Sequence, residues 1–149
     1  MDTKFSSALH MLILISESKE TMSSEELALS VGTNPSYIRK ISSRLVKSGI
    51  IKGHRGISGF TLKEKSNQIT LLDIYKSVMK EKIHFFDIHQ NPNDKCIVGQ
   101  NIKPTLNNLF SDVEKEAEAK LKEITLADCI KKMKQIKEKN ESSNIKKIQ

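Results

Sequence analysis

Ser23-Ser24-Glu25-Glu26-Leu27-Ala28-Leu29-Ser30-Val31-Gly32-Thr33-Asn34-Pro35-Ser36-Tyr37-Ile38-Arg39-Lys40-Ile41-Ser42-Ser43-Arg44-Leu45-Val46-Lys47-Ser48-Gly49 decides the fold. Ser23 and Glu26 have the spacing of a capping box, in which each side chain satisfies the other residue's orphan amide. They open a short helix over residues 25–30, with Leu27, Ala28 and Val31 facing inward. Gly32-Thr33-Asn34 reads as a turn. Gly32 can enter the left-handed region without steric cost, and Asn34 can cap the next helix. Pro35 suits a first helical position, where its missing donor costs nothing. That helix runs to about Ser48 and stops at Gly49, a C-terminal glycine signal. A short helix, a glycine-containing turn and a longer basic helix spell a helix-turn-helix.

Projected at about 100° per residue, with Ile38, Ile41 and Leu45 inward, the longer helix turns Ser36, Lys40, Ser43 and Lys47 outward. Arg39 lies beside them, and Tyr37 and Arg44 flank the face. Serine, lysine, arginine and tyrosine can bind phosphates and read base edges. An ordinary amphipathic helix would mix charges there, whereas this face carries no carboxylate. The charge distribution agrees. The formal net charge is +7, and residues 35–65 hold eight basic residues, including all three arginines, against Glu64 alone. The rest of the chain is balanced. A basic stretch on a neutral background points to a polyanion.

Downstream, Ile50-Ile51-Lys52 and Gly59-Phe60-Thr61-Leu62 bracket Gly53-His54-Arg55-Gly56-Ile57-Ser58, a β-hairpin with a glycine-rich cationic tip. A hairpin after a helix-turn-helix is a wing, and its arginine suits a narrow, strongly negative minor groove. Upstream, Phe5, Ala8, Leu9, Leu12, Ile13 and Ile15 recur at helical spacing and predict a buried first helix ending near Ser18. Beyond the wing, Thr70 caps a helix over residues 71–80 that packs on this domain. Residues 83–96 show no clear period. A long helix is expected over residues 98–122, despite Pro104, with one apolar stripe of Ile102, Leu106, Leu109/Phe110, Val113, Ala117 and Leu121. Such a stripe outside the main domain is expected to bury against a second copy; folding back on its own domain is the other reading. A short helix over residues 126–136 closes the chain. The expected organisation is mainly α with a small β wing: a winged helix-turn-helix domain over 1–80, a sensory or linker loop over 81–97, a dimerisation helix and closing helix over 98–138, and a disordered lysine-rich tail over 139–149.

Asn34-Pro35-Ser36-Tyr37-Ile38-Arg39-Lys40, Leu45-Val46-Lys47-Ser48-Gly49-Ile50-Ile51, His54-Arg55-Gly56-Ile57-Ser58-Gly59-Phe60-Thr61-Leu62 and Ile69-Thr70-Leu71-Leu72-Asp73-Ile74-Tyr75 together strongly resemble the bacterial IscR/NsrR/CymR family of winged-helix transcriptional regulators. The match covers residues 4–79 well. Residues 91–102 look most like its YwnA-like branch. The resemblance implies a homodimer with crossed long helices on a dyad-symmetric operator in double-stranded DNA. It implies that Ser36 contacts DNA, that Arg39 adjusts operator choice and that Arg55 enters the minor groove. Tyr37, Lys40, Ser43, Arg44, Lys47 and His54 rest on the projection and the wing alone. Ile57 and Phe60 depart from a more glycine-rich wing, which bears on operator preference.

Cluster-binding members of that family carry three closely placed cysteines before the long helix. This chain has Cys96 there, with Cys129 following 33 residues later. No metal or cofactor is expected, since His84 and His89 join no ligand motif. Cys96 reads two ways. As a redox sensor it would draw on Lys95 and a helix N-terminus to favour thiolate; as a core residue it would simply be packed. Cys129 suits a buried, inert position. No phosphate loop, nucleophile elbow or paired carboxylate suggests an enzyme. At 149 residues, 37% hydrophobic and 29% charged, the chain is long enough to bury its own core. Without an h-region or an apolar run of about 20 residues, neither secretion nor a membrane is expected, and the cytoplasm is the expected location. The function expected is that of a dimeric regulator, a repressor by the resemblance, whose effector, small molecule or protein, is not readable. The rival is a winged-helix adaptor for protein or RNA, which would need exposed apolar anchors on the recognition face.

Overall fold

The computed structural model describes residues 2–148. Its helices are α1 (Lys4–Glu17), α2 (Ser24–Val31), α3 (Pro35–Lys47), α4 (Leu71–Met79), α5 (Ile97–Glu123) and α6 (Leu126–Ile148). Strands β1 (Ile51–His54) and β2 (Ile57–Leu62) form the antiparallel wing, and Ser66–Gln68 make one 3-10 turn. The caps fall where the sequence puts them. Glu26 N donates to Ser23 Oγ (3.2 Å) and Ser23 N to Glu26 Oε2 (2.8 Å). Gly32 ends α2 at φ +81°, and Asn34 Oδ1 accepts from Tyr37 N at 2.9 Å. Thr70 and Asp73 form a second capping box at α4.

Met11 and Leu12 of α1, Leu27 of α2, Ile38, Ile41 and Leu45 of α3, Ile51 of β1 and Ile74 and Val78 of α4 bury completely or nearly so. Leu126 and Ile130 of α6 join the same cluster. The closing helix therefore completes the winged domain's own core. It is tied there by the backbone: Leu71 N donates to Ile124 O and Leu126 N to Ile69 O, both at 2.8 Å. Thr125 and Asp128 cap each other across its first turn, a signal the sequence reading missed.

Two expectations need correcting. The six-residue wing tip contracts to Arg55-Gly56, because His54 already pairs with Ile57. The closing helix does not stop near residue 136, and the expected tail over 139–149 is helical through Ile148; Gln149 lies outside the described residues. Residues 126–148 contain no glycine or proline and hold seven lysines, four isoleucines and two glutamates. Polarity forbids a core and does not forbid a helix. Lys137 and Glu141 also form an i,i+4 pair at 3.9 Å.

Helix α5 follows its predicted span and carries Pro104 without breaking, yet none of its residues is buried. One flank leans on its own chain. Phe86 meets Phe110 at a centroid distance of 5.1 Å, and His84 reaches Asp87 (2.8 Å) and Glu114 (3.4 Å). Lys76 of α4 pairs with Glu118 at 3.4 Å. On the expected dimer stripe, Ile102 and Leu106 are half-buried, whereas Leu109 and Val113 stand 56% and 49% exposed.

Candidate nucleic-acid interface

The burial of Ile38, Ile41 and Leu45 forces the opposite face of α3 outward, and Ser36, Arg39, Lys40, Ser43 and Lys47 are all exposed. The neighbouring helix contributes what a projection of α3 alone cannot show. Glu25 Oε1 accepts from Arg39 Nη2 at 2.8 Å, so a carboxylate of α2 orients the guanidinium at the edge of the face. Tyr37 is half-buried against the core, with its hydroxyl 3.4 Å from Thr3 Oγ1.

Arg44 departs from the expected arrangement. It is half-buried, and its Nη1 donates to the carbonyl of Val78 in the last turn of α4. Ser77 Oγ in turn donates to the Arg44 carbonyl at 3.1 Å. Arg44 thus fastens α3 to α4. A long guanidinium on a helix flank can turn inward as readily as outward, which the projection does not decide.

The wing is braced from the segment after α1. Thr21 Oγ1 donates to Ser58 O at 2.9 Å, and Phe60 N donates to Met22 O at 3.2 Å. That approach depends on Gly59, which sits at φ +107°; a Cβ there would fall 2.7 Å from Met22 O. His54 is half-buried with Nε2 2.7 Å from Thr61 Oγ1 across the hairpin, so it stiffens the wing. Arg55 stands exposed at the turn, with Ile57 61% exposed beside it.

Cys96 is exposed at the N-cap of α5, so the packing reading is overturned. The backbone amides of Gly99 and then Val98 hold its thiol below the usual cysteine range. Cys129 is partly buried against the core, and burial pushes its thiol up, with Asp128 adding to the effect.

A carboxylate-free serine and lysine face on the second helix of a helix-turn-helix, beside a braced Arg-Gly hairpin, defines a winged-helix DNA-binding transcriptional regulator. The chain belongs to the Rrf2 family, described as iron-dependent transcriptional regulators, which matches residues 1–132. It is 37% identical over 130 residues to YwnA of Bacillus subtilis (strain 168), described as an HTH-type transcriptional regulator, with 87% of this chain and 96% of YwnA covered. A regulator structure from Lactobacillus plantarum is 28% identical with a TM-score of 0.74, covering 95% of this chain and 99% of that one. CymR, the global cysteine regulator of B. subtilis, has the same fold at a TM-score of 0.67 and 19% identity, covering 88% and 95%. The family and the relative are regulators of transcription, and this chain is not an enzyme.

The iron in the family's description does not fit the side chains here. Among the described residues no three of His, Cys, Asp and Glu gather as a ligand group. Cys96 precedes α5 as its N-cap and Cys129 lies on α6, one exposed and one partly buried. Among the described residues no helix is long and apolar enough to cross a membrane.

Proposed function

We propose that the protein acts in the cytoplasm as a homodimeric repressor that occupies a dyad-symmetric operator through two copies of this interface. In each half-site α3 enters the major groove. Ser36 and Ser43 approach base edges, Lys40 and Lys47 hold phosphates, and Arg39, aimed by Glu25, selects among bases. Arg55 enters the neighbouring minor groove on a wing stiffened by His54. Tyr37 stacks its ring at the margin of the face. Arg44 serves by fixing the angle of α3 against α4. The observation that carries this reading is the outward face of α3, where Ser36, Arg39, Lys40, Ser43 and Lys47 are exposed. An adaptor for another protein would need several apolar anchors there; Tyr37 is half-buried, and Val46 beside Arg39 is a single apolar residue, 42% exposed.

Ile102, Leu106, Leu109 and Val113 would close the dimer, since exposed apolar side chains along one long helix call for a partner surface. Cys96 is proposed as the responsive thiol because it is exposed and its thiolate is favoured by the amides of α5.

Selection of bound duplexes from a random DNA pool, with and without mild oxidant, tests the whole reading. The expected product is an inverted repeat whose enrichment falls on oxidation and returns with reductant. Unselected recovery of every duplex would contradict the reading.

A further inference from the structure

The family match ends at residue 132, yet α6 continues to Ile148. Residues 131–146 are all exposed. From Lys131 onward the chain carries seven lysines against Glu138 and Glu141. Their placement on the helix is uneven. With Leu126 and Ile130 facing the core, projection at about 100° per residue puts Lys132, Lys139 and Lys146 on the outward side, seven residues apart. Gln135 and Ser142 lie between them. Glu138 falls on a flank and Glu141 on the inner side, where it pairs with Lys137. Asp128 shares the outward line at the start of the helix, where its carboxylate accepts from Thr125 N at 2.9 Å. Among the described residues, Lys132, Lys139 and Lys146 form no ion pair. Helical rise sets these three ammonium groups about 10.5 Å apart.

The place where α6 leaves the body is also informative. Lys134 pairs with Glu17, the last residue of α1, at 3.0 Å. Five residues on from Glu17, Met22 bridges to Phe60 of the wing. Beyond Lys134, α6 continues for about 20 Å past the end of α1, which lies a few residues ahead of the segment that braces the wing.

We propose that the outward lysine row of α6 is a second, sequence-independent DNA contact, gripping phosphates of the duplex that flanks the stretch held by α3 and the wing. This rests on the DNA-binding role of the winged domain and adds a surface that lies, apart from Lys132, beyond the family match. Duplex backbone suits the row better than protein does. Lysine is depleted at protein interfaces, which centre on aromatic and other apolar anchors, and this line offers glutamine and serine instead.

The test uses the full chain with Lys132→Gln, Lys139→Gln and Lys146→Gln combined. Glutamine preserves helix propensity at exposed positions, and circular dichroism confirms that the variant is folded. Binding is measured across a potassium chloride series, on a selected operator with and without about ten base pairs of flank on each side, roughly one helical turn. The ranking of operator sequences should stay as in wild type. The salt slope should fall by about 0.9 for each phosphate no longer neutralised, up to about 2.7 per chain, and affinity for the flanked duplex at low salt should drop about tenfold or more. The unflanked duplex should change little. An unchanged slope and flank dependence would overturn the proposal and leave α6 to solvent or an acidic protein. A wild type that binds no duplex would overturn the winged interface first, and this arm with it.

Discussion

Glu25 and Arg39 show how much one pair of side chains can decide without contributing much to stability. Both are more than half exposed, so their ion pair adds at most about 1 kcal/mol. Its value lies in orientation. Glu25→Ala should leave thermal stability within about 0.5 kcal/mol of wild type. It should relax discrimination among operator variants in the same direction as Arg39→Ala, but less, as competition binding on single-base variants would read. Equal discrimination in Glu25→Ala and wild type would remove Glu25 from the interface. Ser42 behaves oppositely: its hydroxyl is buried in α3 and finds no hydrogen-bond partner among the described residues. Ser42→Ala should therefore stabilise the fold by up to about 1 kcal/mol in urea unfolding, since it removes an unpaired polar group. For Cys96 the sign follows from its amide neighbours. Its pKa is lowered, so thiolate forms at lower pH than in an ordinary cysteine, while that of Cys129 is raised. Iodoacetamide should label Cys96 first, and the pH midpoint of its labelling should lie below that of Cys129. The outward residues of α3 were legible because three buried positions fix a helix's rotation. The inward turn of Arg44 and the reach of Glu25 were not, because each depends on a neighbouring helix.

At the scale of elements, three boundaries written by capping residues were readable, Ser23 with Glu26, Asn34 with Pro35, and Thr70, whereas the Thr125–Asp128 cap of α6 went unread. The bounds that depend on weaker signals moved. The wing tip shortened because pairing propagates to His54 and Ile57, which a glycine-rich stretch does not announce. Helix α6 lengthened because its lysines and glutamates continue a helix as well as they solvate a coil. Helix α5 was legible in length, but the destination of its stripe was divided: Phe110 packs on Phe86, and Leu109 and Val113 stay exposed. Leu109→Glu should convert the protein to monomer in light scattering, because the interface would bury an unpaired carboxylate. Operator affinity should fall by at least about a hundredfold once two half-sites can no longer be held together. A folded variant of unchanged mass would show that this stripe does not hold the dimer. In the wing, Gly59→Ala should loosen the approach to Met22 and weaken operator binding while the helical content by circular dichroism is retained.

At the scale of the molecule, the positive charge has two centres. One is the α3–wing region over residues 35–65, and the other is the end of α6, with the intervening and leading segments net acidic. A sequence reading finds the first because it coincides with a motif; the second is masked when the remainder is counted as one neutral block. The single core explains why these centres hold a fixed relation, since Leu126 and Ile130 anchor α6 among the side chains that position α3. On the proposed reading, α3 and the wing select a DNA sequence and do more than attract its charge. The most direct measurement is an anisotropy titration at about 0.15 M salt, roughly physiological, comparing a selected operator with a scrambled duplex of equal length and composition. Preference for the operator by at least about a thousandfold is expected, most of it lost in Arg39→Ala. In Lys47→Ala, both duplexes should weaken by similar factors. Equal affinity of the wild type for the two duplexes would contradict that reading.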